Sequence, residues 1–204
     1  MRTDWQNSRQ AFDEAAAWFV AVVAQVGGRW AEPGLGEWDV RDLAGHTSRA
    51  LLTVETYLRA PAASVEVEST VAYYQATRDI ASSADIAQRG RDAGAALGAD
   101  PAAAVAAIAT RVLPLQGATD GSELLTTIAG GMRLSDYLPT RTFELVVHTC
   151  DLAAALAVPA EPPPVAAAEA MRLVAGLAVA EGRAGTLLLA ATGRASTPAG
   201  FSVL

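Results

Sequence analysis

An apolar stripe at helical spacing constrains this chain more than any other feature. Between residues 4 and 27, Phe12, Ala15, Ala16, Phe19, Val22, Val23 and Val26 recur at three- and four-residue steps. That period predicts an amphipathic helix. One such helix cannot bury its stripe alone, so the chain must supply partners. Gly27-Gly28 ends the segment, and Pro33, Gly34 and Gly36 make the next stretch a loop as far as Trp38.

The partners follow in order. Asp39 is a good N-cap for a second helix, with Asp42 in its first turn. It carries Val40, Leu43, Ala44, Leu51, Leu52, Val54 and Leu58 and stops before Pro61. A third helix is predicted from about 69 to 97. Asp100-Pro101 supplies a cap and a first-turn proline for a fourth. Residues 113–133, rich in Gly and Thr, read as loop or a short strand. The next helix starts at Ser135-Asp136 and runs to about 157, with Pro139 near its first turn, where proline is tolerated. The run from Pro159 to Pro164 is a linker or rigid corner. A further helix covers about 165–181. Thr186–Ala191 and Phe201–Leu204 read as two strands pairing across a turn. The expected architecture is a mainly α four-helix bundle over residues 1–158, with a short appendage over 159–204 made of a helix and a β-hairpin.

Composition narrows the partners. The chain has 204 residues and a formal charge of −7. That length buries a sizeable core. Excess negative charge repels phosphate backbones, so nucleic acid is not an expected partner. Every one of the fifteen cationic residues is arginine. Cys150 is the single cysteine, so no disulfide can close within the chain, and a cytoplasmic setting is the simplest. The first residues carry acids and amides where a secretory signal would be apolar. Apolar runs are too short or too charged for a membrane helix. Ala-rich helix faces leave room for a homodimer.

The chemistry concentrates on three side chains. The two histidines, His46 and His148, each sit on a long predicted helix. His148 follows Glu144 by four residues, so both project from one helix face. With His46 from a neighbouring helix they form two nitrogen ligands and one oxygen ligand. That set suits Zn²⁺, and also Ni²⁺, Fe²⁺ or Mn²⁺. Three protein ligands leave a position for water or substrate. Asp42, Asp151 and Arg141 flank the three and could orient them. Residue chemistry alone keeps a second reading open. Glu-x-x-x-His occurs on helices that hold no metal, and a helical histidine can be a satisfied core residue. Trp38 and Arg41 could simply pack the loop onto the bundle. Arg141 could pair with Glu144 or Asp151, or bind an anion. Cys150 reads as a small buried hydrophobe.

The segment from Trp38 to His46, Trp-Asp-Val-Arg-Asp-Leu-Ala-Gly-His, resembles the W-x-V-R-D-L-x-x-H segment of the mycothiol-dependent maleylpyruvate isomerase N-terminal domain family. That family belongs to the DinB-like superfamily. Arg141 to Leu152 resembles its R-x-x-E-L-x-x-H-x-x-D-L segment, and Met132 to Leu138 its lead-in. The likeness spans about residues 5–157. It implies a DinB-like four-helix bundle holding a divalent metal, usually zinc, on His46, Glu144 and His148. It also implies mycothiol as a thiol cosubstrate. The isomerase has a larger C-terminal domain than the forty or so residues that follow the proline run here.

Two functions follow. One is a metal-dependent enzyme, an isomerase or thiol S-transferase, that uses a mycothiol-like thiol on a small electrophile. The other is a non-catalytic metal- or ligand-binding module with a regulatory or interaction role.

Overall fold

The computed structural model describes residues 2–78, 80 and 83–204. Helix α1 (Arg2–Val23) buries Phe12, Ala15, Ala16, Phe19, Val22 and Val23, the stripe that its spacing predicts. Helix α2 (Val40–Leu58) begins where the Asp39 carboxylate accepts the Asp42 N–H at 2.8 Å. Helices α3 (Thr70–Thr77) and α4 (Ser83–Ala96) follow. Helix α5 (Pro101–Val112) is capped by Asp100, which accepts the Ala103 N–H. After a 3₁₀ turn at Leu115–Ala118 come strands β1 (Leu124–Thr127) and β2 (Gly130–Arg133). Helix α6 (Leu134–Ala155) leads to α7 (Pro164–Ala180) and α8 (Ala184–Ala191).

The fold is mainly helical, with one small two-stranded sheet among the described residues. Helices α1, α2, α5 and α6 form the bundle: α1 packs on α5 and α6, and α2 packs on α5 and α6. Phe12, Phe19, Leu43, Leu51, Leu138, Leu145 and Leu152 fill the space between them. Across α2 and α5, Glu55 accepts both of its oxygens' bonds from Arg111 Nε at 3.2 Å. Helix α7 lies against α1 and α6 and adds Ala166, Leu173 and Leu177 to the same core. Helix α8 buries none of its residues.

Helix α4 sits close on α2 because two glycines allow it. A Cβ on Gly45 would clash with the backbone of Ala93 and Gly94, and one on Gly94 would lie 2.7 Å from Asp42 Oδ1. Arg41 locks this contact by donating from Nε to the Gly94 carbonyl at 2.8 Å and from Nη2 to that of Gly98.

Three expectations need correction. The single helix over 69–97 is two helices with different partners: α3 packs on α6 and α7, and α4 packs on α2. One straight rod could not reach both. Residues 79, 81 and 82 of that stretch lie outside the described residues. The C-terminal strands are absent: Thr186–Ala191 belongs to helix α8, and Phe201–Leu204 has no regular structure. A short apolar run does not distinguish strand from helix, and the alanines around Leu187–Leu189 favour helix. The hairpin forms instead at residues 124–133, with Leu124 opposite Arg133 and Thr127 opposite Gly130. Finally, α6 starts at Leu134, which puts Pro139 in its second turn, where it cannot donate to the Ser135 carbonyl. No single described helix is long and apolar enough to cross a membrane.

Candidate metal centre

Helix α2 brings His46, and helix α6 brings Glu144 and His148, to one point in the bundle. Each offers a ligand atom, and these atoms lie within 4.8 Å of one another. The one-turn spacing on α6 sets the Glu144–His148 pair, with Nε2 of His148 3.2 Å from Oε2 of Glu144. The two imidazoles meet edge to face, their centroids 5.0 Å apart.

Neighbouring groups fix each of the three. Oδ2 of Asp151 lies 3.1 Å from Nδ1 of His148, which orients the ring so that Nε2 faces Glu144. The Tyr74 hydroxyl donates to Oε1 of Glu144 at 2.6 Å, leaving Oε2 toward the histidine. Trp38 stacks on His46 with centroids 4.4 Å apart and donates its indole N–H to the Ala87 carbonyl at 2.9 Å. Gly90 makes room for the Trp38 ring, since a Cβ there would overlap it.

The electrostatics separate the two histidines. Burial, followed by the charge of His148, pushes the His46 imidazole down to about 4. It is therefore neutral near pH 7 and available as a ligand. Its Nδ1 is buried and has no hydrogen-bond partner among the described residues. Burial alone would lower His148 as well, but its bonds to Asp151 and Glu144 raise it to about 9. Glu144 is buried too, which would raise its pKa. The bond from His148 and the charge of Arg141 hold it down at about 2 instead. Without an ion, the centre is thus an imidazolium between two carboxylates beside a neutral imidazole. Two imidazoles and a carboxylate fit a divalent metal, and a cation there would take the place of the His148 proton.

The remaining sequence candidates fall to other duties. Asp42 lies against Gly94 of α4, and burial raises its pKa. Arg41 and Trp38 hold the loop and α4 in place. Arg141 forms no ion pair with Glu144 or Asp151. It lies between aromatic rings, 4.9 Å from the Tyr137 centroid and 5.4 Å from that of Tyr73, and donates from Nε to Thr140 Oγ1 at 2.8 Å. Cys150 is half-buried, and burial with the charge of Asp151 raises its thiol pKa, so it is no ready nucleophile.

A cavity of about 270 Å³ opens beside the triad, with His46 and Glu144 in its wall. Tyr57, Tyr73, Tyr74 and Arg141 also line it, and Ile128 comes from the hairpin tip. Sequence reasoning missed Tyr74, Arg49 and Arg89 here. Arg49 could have been found, because it follows His46 by three residues on one helix. Tyr74 and Arg89 lie on helices whose approach to the site depends on tertiary packing.

These features define a helical bundle with a His-Glu-His cluster able to hold one metal ion at the edge of a cavity. The chain belongs to the mycothiol maleylpyruvate isomerase N-terminal domain family, whose sequence model matches residues 8–153. Comparison with curated proteins and with solved structures returned no match.

Proposed function

We propose that this protein is a metal-dependent enzyme that uses a low-molecular-weight thiol, of the mycothiol type, for transfer to or isomerisation of a small electrophile. The observation that carries this reading is that two members of the His46–Glu144–His148 cluster, His46 and Glu144, lie in the wall of an accessible cavity. A closed, four-ligand centre would point to a structural ion. Membership of a family described by mycothiol supports the choice of thiol.

Zinc suits the donor set, with Ni²⁺, Fe²⁺ and Mn²⁺ as other candidates. A divalent cation bound there would stabilise a thiolate over a thiol and polarise a carbonyl. The chain's own residues do the rest. His46, Glu144 and His148 would hold the ion, with Tyr74 and Asp151 setting the orientation of two of them. Arg141 presents a permanent positive charge to the cavity. The Trp38 ring shields one side of His46 from water.

The test is thiol consumption. Zinc-loaded protein incubated with mycothiol and monochlorobimane should form the conjugate faster than the His148→Ala variant. Equal rates for the two would contradict catalysis at this centre. The second reading, a binding module with an interaction role, draws support from α8, where Leu188 and Leu189 are exposed and no residue is buried.

A further inference from the structure

We propose that a second cavity, between helices α1, α3, α6 and α7, binds a small primary amine as its ammonium ion, through Glu169 with Asp4 and Asp136. This cavity shares no lining residue with the one beside the metal centre. Binding there needs neither the metal nor the reaction proposed above.

Glu169 on α7 is the key group. It is 6% exposed, so more than nine-tenths of it is buried. Its Oε1 accepts the Ser8 hydroxyl of α1 at 2.5 Å. Its Oε2 is buried and has no hydrogen-bond partner among the described residues. The nearby Thr142 hydroxyl donates to the Leu138 carbonyl at 3.4 Å. Arg172 helps to lower the Glu169 pKa, after the bonds from Ser8 and Thr142, but burial outweighs all three and raises it. A buried carboxyl must shed its charge or find a cation with a hydrogen to give. An ammonium group brings the charge and three N–H donors.

The cavity is placed to deliver one. Glu169 is in its wall, and also in the wall of an adjacent hollow of about 320 Å³ that shares Asn7 and Arg172 with it. The carboxyl therefore stands where two open spaces meet. Asp4 of α1 and Asp136 of α6 line the same cavity. Asp136 has a long ion pair, 3.9 Å, with Arg133, and burial raises its pKa.

Other ligand classes fit less well. The N-terminus of α3 borders the cavity, but the Ser69 hydroxyl already accepts the Ala72 N–H at 3.1 Å and caps it. Arg172 is an exposed side chain, so water and salt screen its pull on an anion. A bare divalent ion needs its ligands gathered closely. Asp4, Asp136 and Glu169 do not bring ligand atoms within 4.8 Å of one another, as His46, Glu144 and His148 do. Val71, Pro139 and Leu173 give the cavity an apolar side for the body of an amine. Its volume of about 440 Å³ falls in the range of ~300–1,000 Å³ usual for small-molecule sites.

Isothermal titration calorimetry near neutrality with benzylamine, benzyl alcohol and benzoate tests this on the full, zinc-free chain. Benzylamine should bind, and the alcohol and the acid should bind at least about tenfold more weakly. Glu169→Gln keeps the shape of the side chain and removes its charge, and it should weaken benzylamine by roughly tenfold or more. Two variants at exposed positions keep the fold and carry the test should Glu169→Gln not fold. Asp4→Asn should weaken benzylamine by about threefold, and Arg172→Gln, which removes a competing positive charge, should strengthen it by about as much. His148→Ala should bind benzylamine as wild type does. Benzylamine binding no tighter than benzyl alcohol, unchanged in both Asp4→Asn and Arg172→Gln, or lost in His148→Ala overturns the proposal. Thiol conjugation is a separate readout, so either result can fail while the other stands.

Discussion

The Tyr74 hydroxyl donates a 2.6 Å hydrogen bond to Oε1 of Glu144, tying helix α3 to the carboxylate at the centre of the candidate site. The bond occupies one carboxylate oxygen and leaves the other beside His148. Hydrogen bonds of this kind, one step out from a metal ligand, typically carry ~10–100-fold in affinity. Tyr74→Phe removes the hydroxyl and keeps the ring that packs on Phe143 at 5.5 Å. We expect zinc affinity to fall by about that factor, measured by competition with a chromophoric chelator, with the melting temperature of the zinc-free protein little changed.

A proton should leave when the ion arrives. His148 is held at about 9 by its bonds to Asp151 and Glu144, so it is charged near pH 7. A histidine that ligates metal is neutral. Zinc binding near pH 7 should therefore release about one proton per ion. Calorimetry in buffers of different ionisation enthalpy measures that number. Release near zero would mean that His148 is already neutral in the metal-free protein.

The same shift predicts a pH-dependent stability. A raised histidine stabilises the fold fully below its unfolded value of ~6.5. That contribution is lost as pH rises through the folded value of about 9. Metal-free wild type should exceed His148→Ala in melting temperature near neutrality, and the gap should shrink by about pH 10. A gap that stays constant would show that the imidazolium contributes no stability.

Gly45 and Gly94 let α4 rest on α2, and α4 carries Ala87 and Gly90, which hold Trp38 against His46. Gly45→Ala forces a methyl into the α4 backbone. Overpacking of this kind costs about 1–3 kcal/mol. Denaturant unfolding should show that loss, together with a change in tryptophan emission as Trp38 shifts. An unchanged midpoint would mean that α4 can move away without cost.

Much of this was legible in sequence, because the relevant signals are local. The α1 stripe, the Asp39 and Asp100 caps and the Glu144–His148 spacing depend on residues within a turn or two of each other. The rest depends on contacts between distant segments. Nothing near residues 70–96 says that the first part packs on α6 and the second on α2. The hairpin at residues 124–133 is hidden in a Gly- and Thr-rich stretch, and it bonds to the chain near Pro61 and Val67. Leu187–Leu189 matches helix and strand equally in so short a run. Tyr74 meets Glu144 across 70 residues of chain, so no spacing rule could have found it.

The central claim is that His46, Glu144 and His148 together hold one divalent ion. Metal analysis of tag-free protein, purified and then equilibrated with zinc, tests it most directly. The account predicts one ion per chain in wild type and loss of that ion in His46→Ala and in Glu144→Ala, each folded by circular dichroism. A stoichiometry near zero in wild type, or one ion per chain retained in both variants, would contradict it.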